Sequence, residues 1–405
     1  MPARFCLLCV LCCLSLLRPA ASLSSERSDT RDFQKFAQQT WPVVKTDPKQ
    51  AVALYEQYLQ QHPALHPNVA ALLRSYEADI LYNAVKNPAA ALTLLDQALS
   101  TYGPSSPPER RAGLGMWLRL VREKAEVLVG EKRLPEAEAL WRENLPNIIA
   151  DAQQWGSGGA QGAARLLHHY IMVLEWQNKG AEVITVLERV FKEVPWLLSG
   201  AAQEPPGSLY DKLVSHLLKA ERKEDALRWA KVQYLLCNFD TPALERATKL
   251  VGRAWASQEA FPAIAAFAKA QQDSSAPNPL QTVPLPEWDT GLWRKLLAQA
   301  EGPQPAVHIG ASERITLLLA LGEWQQAMLQ ARRVIMDNPT DAQGVRDVAR
   351  VFKAKDLNVV RANAFLQFYQ SGEGPNPITA FLQETEKAGA EKAAPPTTPP
   401  AAPAE

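Results

Sequence analysis

AMLQARRVIMDNP, residues 327–339, reads as a helix with a small residue at Ala327, an apolar residue one turn on at Ala331 and a stop at Pro339. The same arrangement recurs far away in the chain, with Ala51, Tyr55 and Pro63, and again with Val183, Leu187 and Pro195. Weaker copies set Ala91 and Leu95 before Gly103-Pro104, Ala137 and Trp141 before Pro146, Ala226 before Trp229 and Ala230, and Ala263 before Phe267. A small residue lets two helices approach, the residue one turn later fills the gap, and proline ends the helix because it has no N–H to donate. A helix pair built this way leaves one face uncovered, which a neighbouring pair can bury.

Apolar residues at three- and four-residue spacing run through most of the chain, and alternating β-branched stretches are few. The expected fold is therefore all-α, an α-solenoid of stacked antiparallel helix hairpins. The small residue, the apolar residue one turn on and the terminal proline resemble the second helix of the tetratricopeptide repeat. The resemblance covers most of 47–370 and lies in second helices. In the first helices, EADILYNAVKNPAAALTLLDQAL at 77–99 keeps Tyr82 of the family pattern, and the copies are spaced more widely than the usual 34 residues. A generic α-solenoid shares these features.

The 405 residues are 47% hydrophobic, and 43 basic residues balance 43 acidic ones. The balance gives no overall field toward nucleic acid or an anionic membrane. At the N-terminus Arg4, an apolar run from Phe5 to Leu17, and the small residues Ala20-Ala21-Ser22 have the layout of a secretory signal peptide. The run is too short for a bilayer core of about 30 Å. Cleavage after Ser22, or one residue earlier, leaves Cys237 as the sole cysteine, so apolar packing rather than disulfides must hold the chain. No Asn-X-Ser/Thr site is present. A periplasmic or extracellular setting, bacterial by preference, is expected, with no membrane insertion after cleavage.

The expected organisation is a signal peptide at 1–22, a helical repeat array at 23–271, a Pro-rich insert with one short helix at 272–310, further hairpins at 311–385 with helices at about 311–321, 323–337, 341–354 and 357–370, and a tail at 386–405. The insert carries six prolines and either divides two sub-arrays or straps along the helices; Trp288 and Trp293 favour the strap. The tail, EKAGAEKAAPPTTPPAAPAE, has no large apolar residue to offset its ordering entropy and is expected to be disordered.

Catalytic and cofactor motifs are sparse. His62 and His66 are four apart but separated by prolines, and His168 and His169 diverge by about 100° on a helix. Cys237, in YLLCNFD, has the surroundings of a buried inert thiol. GSGGAQG at 156–162 follows a helix and reads as a flexible turn, and Glu136/Glu138 and Glu221/Glu224 read as surface charge. Trp141, Trp176, Trp229 and Trp324 read as inter-helix core. No cofactor or metal is expected.

One constellation stands out. On first helices at about 116–130 and 164–177, Trp117, Leu120, Val121 and Leu128, then Leu167, Tyr170, Ile171 and Leu174, form packed faces. Arg119, Arg122 and Glu126, then Arg165, His168 and Glu175, are left on other faces. The family resemblance implies that such positions line a concave groove. Arg119, Arg122, Arg165 and His168 would then offer a basic patch to a carboxylate or acidic peptide. The resulting expectation is a non-enzymatic scaffold that binds a protein or peptide. Two alternatives are an enzyme using Glu287, Asp289 or His308 of the insert, and a structural module whose groove its own insert fills.

Overall fold

A computed structural model describes residues 20–198, 208–239, 241–256, 261–301, 305, 307–338, 341–372, 376, 378–379 and 382–383. The expected leader therefore lies outside the described residues up to position 19, and the 386–405 tail wholly outside them. The described chain is all-helical, 79% helix with no strand, and its helices pack as adjacent pairs.

Two compact units divide the chain, Met1–Val186 and Leu187–Glu405. The first holds α1 (Ala20–Thr46), α2 (Pro48–Gln61), α3 (Pro67–Asp79), α4 (Pro88–Tyr102), α5 (Leu114–Gly130) and α6 (Leu134–Trp176); α7 (Gly180–Glu193) crosses the boundary. Phe33, Tyr55, Leu72 and Leu73 centre a core cluster among α1, α2 and α3, and α5 packs on α3, α4 and α6. The second unit holds α8 (Leu209–Lys219), α9 (Lys223–Leu236), α10 (Thr241–Ala254), α11 (Phe261–Ala270), α12 (Thr290–Gln299), α13 (Ala311–Ala320), α14 (Trp324–Asp337), α15 (Ala342–Asp356) and α16 (Val360–Ser371). In it α9 touches α8, α10, α13 and α15.

The pairs share one turn. Lys132, Asn178, Glu221 and Gly322 all have left-handed backbone, and each stands five residues before the small residue of its copy, Ala137, Val183, Ala226 or Ala327. Around each, one N–H reaches a carbonyl five residues back, as from Arg133 to Leu128 and from Arg222 to Leu217, and the left-handed residue bonds three back. This is the Schellman arrangement, which satisfies the last carbonyls of the first helix while launching the second. Lys86 plays the same part five before Ala91; there the Asn87 N–H reaches six residues back to the Leu81 carbonyl, one further than elsewhere, because of the π-helical turn Ile80–Ala84. The first pair differs: Asp47 accepts from the Gln50 N–H and Pro48 opens α2. Left-handed backbone costs a non-glycine residue about 1 kcal/mol. Glu221→Gly is therefore expected to raise the urea midpoint by the equivalent of about 0.5 kcal/mol, the added chain entropy of glycine taking back the remainder. A loss of stability would remove the turn from that account.

Two sequence readings are corrected here. The helix expected to stop at Pro146 runs on through it, because Leu145, Ile148, Ile149 and Ala152 on either side are buried and compensate for one missing N–H. The glycine-rich stretch does hold a turn after a helix: at Gly156, whose φ 56° and ψ −129° only glycine adopts readily, one helix gives way to the next, and the chain turns back so that a Cβ on Gly159 would stand 2.7 Å from the Asp151 carbonyl. Glu138 is no surface charge. It is 3% exposed, accepts from Lys179 Nζ at 2.6 and 2.7 Å and meets Arg142, and these cations hold its pKa down against its burial.

The insert packs on its own unit. Trp293 is fully buried and donates its indole N–H to the Lys192 carbonyl at 2.7 Å; Trp288 stacks between Trp293 and Trp229. Lys231 Nζ donates to the Val283 carbonyl and Asn278 Nδ2 donates to the Leu357 carbonyl. Glu287 and Asp289 are exposed, and Asp289 caps α12 by accepting from the Leu292 N–H. His308 is half-buried.

Candidate functional site

Arg119, Arg122, Glu123 and Glu126 recur on α5 at three- and four-residue spacing, which sets them in one stripe. The opposite side of the helix, Leu118, Leu120, Val121, Ala125 and Leu128, is buried and fixes that stripe in place. α3 brings Ser75 and Tyr76 to it, and the limb of α6 after Gly156 brings His169. Arg119 Nε donates to Ser75 Oγ at 3.1 Å, its guanidinium lies 5.4 Å from the Tyr76 ring, and Glu123 is 3.7 Å away. Arg122 pairs with Glu123 at 2.9 Å and Glu126 at 3.4 Å; His169 Nε2 stands 3.7 Å from Glu126. Ser75 Oγ donates in turn to Glu123 at 3.4 Å.

The expected basic patch is thus a ladder of paired charge, two arginines against two glutamates. Arg119 and Arg122 are half-buried, each 32% exposed by side chain, and each faces an acidic side chain. Of the remaining residues of the constellation, Arg165 is exposed on α6, and His168 and Glu175 are half-buried there. Glu123, Ser75 and His169 were not singled out by the sequence. Ser75 meets residues 44 and 48 positions on and His169 meets another helix, which no local pattern encodes, whereas Glu123, four after Arg119, lies within reach of helical spacing. Trp176, read as core, is 52% exposed at the end of α6. Trp324, read the same way, is half-buried. Trp141 is fully buried as expected, stacked near His169 and Tyr170, but its indole N–H has no hydrogen-bond partner.

Glu126, Trp141, His169 and Trp176 border a cavity of about 30 Å³. That admits a water-sized group or the tip of a side chain and is far below the several hundred Å³ of a small-molecule site. Burial pushes the Glu126 pKa up to about 6; Arg122 opposes the shift and Glu123 and Asp79 add to it. Burial lowers the His169 pKa, with Arg122 and His168 acting in the same direction. At neutral pH the contact is therefore an ionised carboxylate beside a mostly neutral imidazole. Because the folded state holds the Glu126 proton more tightly than the unfolded chain, stability falls as pH rises between about 4.5 and 6. Glu126→Gln is expected to flatten that segment of the urea-midpoint profile, and an unchanged slope would assign it to other groups.

Among the described residues, no group of three or more His, Cys, Asp or Glu side chains is placed to hold a metal ion, and no helix is long and apolar enough to cross a membrane. No protein-family model matches the chain, and no curated protein matches it.

Proposed function

We propose that the chain is an exported, non-enzymatic scaffold of tetratricopeptide-like helix pairs that binds an extended protein or peptide segment across α3, α5 and the distal limb of α6. The observation that carries this reading is the exposed Trp176 beside a side-chain-sized notch and a half-buried charge ladder. Aromatic anchors next to partly desolvated charges are the usual centre of a protein-binding surface. The shared Schellman turn supports the repeat reading, since one turn geometry launches successive second helices at the same offset from the small residue. Export rests on the leader pattern at 1–22.

The test is selection of a displayed random-peptide library on the full chain, followed by affinity measurement with Trp176→Ser and Arg165→Glu, both at exposed positions. Enriched peptides whose binding weakens at least about tenfold, about 1.4 kcal/mol, in each variant fit the proposal. Failure to enrich, or binding that both variants leave intact, overturns it. A second reading, a structural module covered by its own insert, is favoured by the buried Trp293 strap of the second unit. It predicts no peptide selection at all.

A further inference from the structure

Trp141 is fully buried on α6, and its indole Nε1–H has no acceptor. A buried donor in that position carries its whole desolvation penalty, which native folds seldom leave uncompensated. The same ring borders the cavity of about 30 Å³ that α5 and both limbs of α6 line. Glu126 borders it too, and the contacts that Arg122 makes at 3.4 Å and His169 at 3.7 Å both fall on its Oε1. Oε2 is thereby left to accept from another group. Val129, Met172 and Val173 add apolar wall, and Trp176, 52% exposed, carries the border of the cavity to the surface. The notch thus offers a donor and an acceptor among apolar and aromatic side chains, a pattern that selects its occupant by hydrogen-bonding chemistry.

We propose that this notch binds the side-chain carboxamide of a glutamine in the partner segment, the amide oxygen accepting from the Trp141 indole N–H and the amide nitrogen donating to Glu126 Oε2. Glutamine recognition rests on the peptide-binding reading above and adds to it one side chain that the segment must carry. A carboxamide is planar and neutral and holds its acceptor and its donors on adjacent atoms. The two methylenes of glutamine span the rim at Trp176, so the backbone of the segment stays outside.

Other groups answer the notch less well. A carboxylate satisfies the indole but sets its charge against Glu126, which is ionised at neutral pH. A lysine ammonium brings no acceptor for Trp141, and Arg122 already supplies Glu126 with a cation. A hydroxyl carries both functions on one atom, for which about 10–15 Å³ suffices, and this cavity, at about 30 Å³, has room for a second heavy atom. A backbone amide carries both as well, but its chain continues on either side and does not enter a notch of this size.

The test has two arms, both on the full chain. In the first, the peptides enriched from the displayed library are sequenced, and the best binder is remade with its shared glutamine changed to glutamate and to methionine. Either change is expected to weaken binding at least about tenfold. Trp141→Phe should weaken the glutamine peptide by as much and leave the methionine peptide within about twofold. The second arm needs no peptide: the chain, labelled with nitrogen-15 at its indole nitrogens, is titrated with propionamide, propionate and 1-propanol and followed by nuclear magnetic resonance. The Trp141 indole signal, identified by its loss in Trp141→Phe, is expected to shift saturably with propionamide and not with the other two. Enriched peptides that share no glutamine overturn glutamine recognition and leave the peptide-binding reading standing. No saturable shift with propionamide, or an equal one with propionate or 1-propanol, also overturns the site. A selective propionamide shift with no peptide enriched keeps the carboxamide site and overturns the peptide-binding reading. Should Trp141→Phe fold poorly by circular dichroism, Trp176→Ser at the exposed rim takes its place, and a propionamide shift that it leaves intact overturns the assignment to this notch.

Discussion

Asp347→Ala is expected to cost the second unit about 3–5 kcal/mol in urea denaturation, the largest single-charge effect in the protein. Asp347 and Arg350 lie one turn apart on α15, are each 1% exposed and pair at 3.0 Å. The guanidinium also donates to Thr316 Oγ1 at 2.9 Å, to the Ser312 carbonyl at 3.0 Å and to the Leu236 carbonyl at 3.4 Å, joining α13, α9 and α15. Asp347 accepts from Ser312 Oγ at 2.5 Å and from Gln343 Nε2 at 3.3 Å. Removing the carboxylate alone leaves a buried cation with neutral partners only. Replacing both charges, by Asp347→Leu with Arg350→Met, removes the stranded cation and is expected to cost less than Asp347→Ala. The unpartnered Nε of Arg350 makes the apolar exchange easier still. A double variant no more stable than Asp347→Ala, or a single variant within about 1 kcal/mol of the parent, would sink the assignment.

Trp293→Ala should remove a comparable amount, about 3–5 kcal/mol, by emptying a fully buried indole site. It also leaves the Lys192 carbonyl without its donor and strips Trp288 of one of its two ring partners, Trp229 being the other. Hydrogen exchange separates two ways of losing that stability. Faster exchange confined to 277–299 means the strap lifts off locally, whereas acceleration extending into α9 means the insert is part of the unit's cooperative core. Trp288→Ala, at a half-buried position, is expected to cost less than Trp293→Ala. Equal costs, or no change in exchange, would mean that Trp293 is not the anchor.

The helices were legible and the turns between them were not. A run expected at 323–337 is found at 324–337, and one expected at 341–354 is found at 342–356, because the apolar period and the residues that end each run are local. Gly322 and, more weakly, Asn178 carry the usual signal of a left-handed helix end; Lys132 and Glu221 take the same backbone with side chains that advertise nothing. Pro146 misled because a buried helix outweighs one lost hydrogen bond. At the candidate site the arginines of α5, and Glu123 one turn after Arg119, lie within reach of helical spacing, while the tie from Arg119 to Ser75 of α3 depends on which helices meet. Glu138 was misread for the same reason, since its burial depends on Lys179, 41 residues on.

The recurring turn also sets the order in which the chain can assemble. Each Schellman turn and the pair it joins close short loops, whose entropy is small, so pairs can form on their own within the time of local helix growth. The ties from Trp293 to Lys192 and from Arg350 to Leu236 close loops of 101 and 114 residues and reward the chain only after those pairs exist. Refolding of the second unit is therefore set by its last long-range closures, and substitutions at Trp293 or Asp347 should speed unfolding far more than they slow the first appearance of helix.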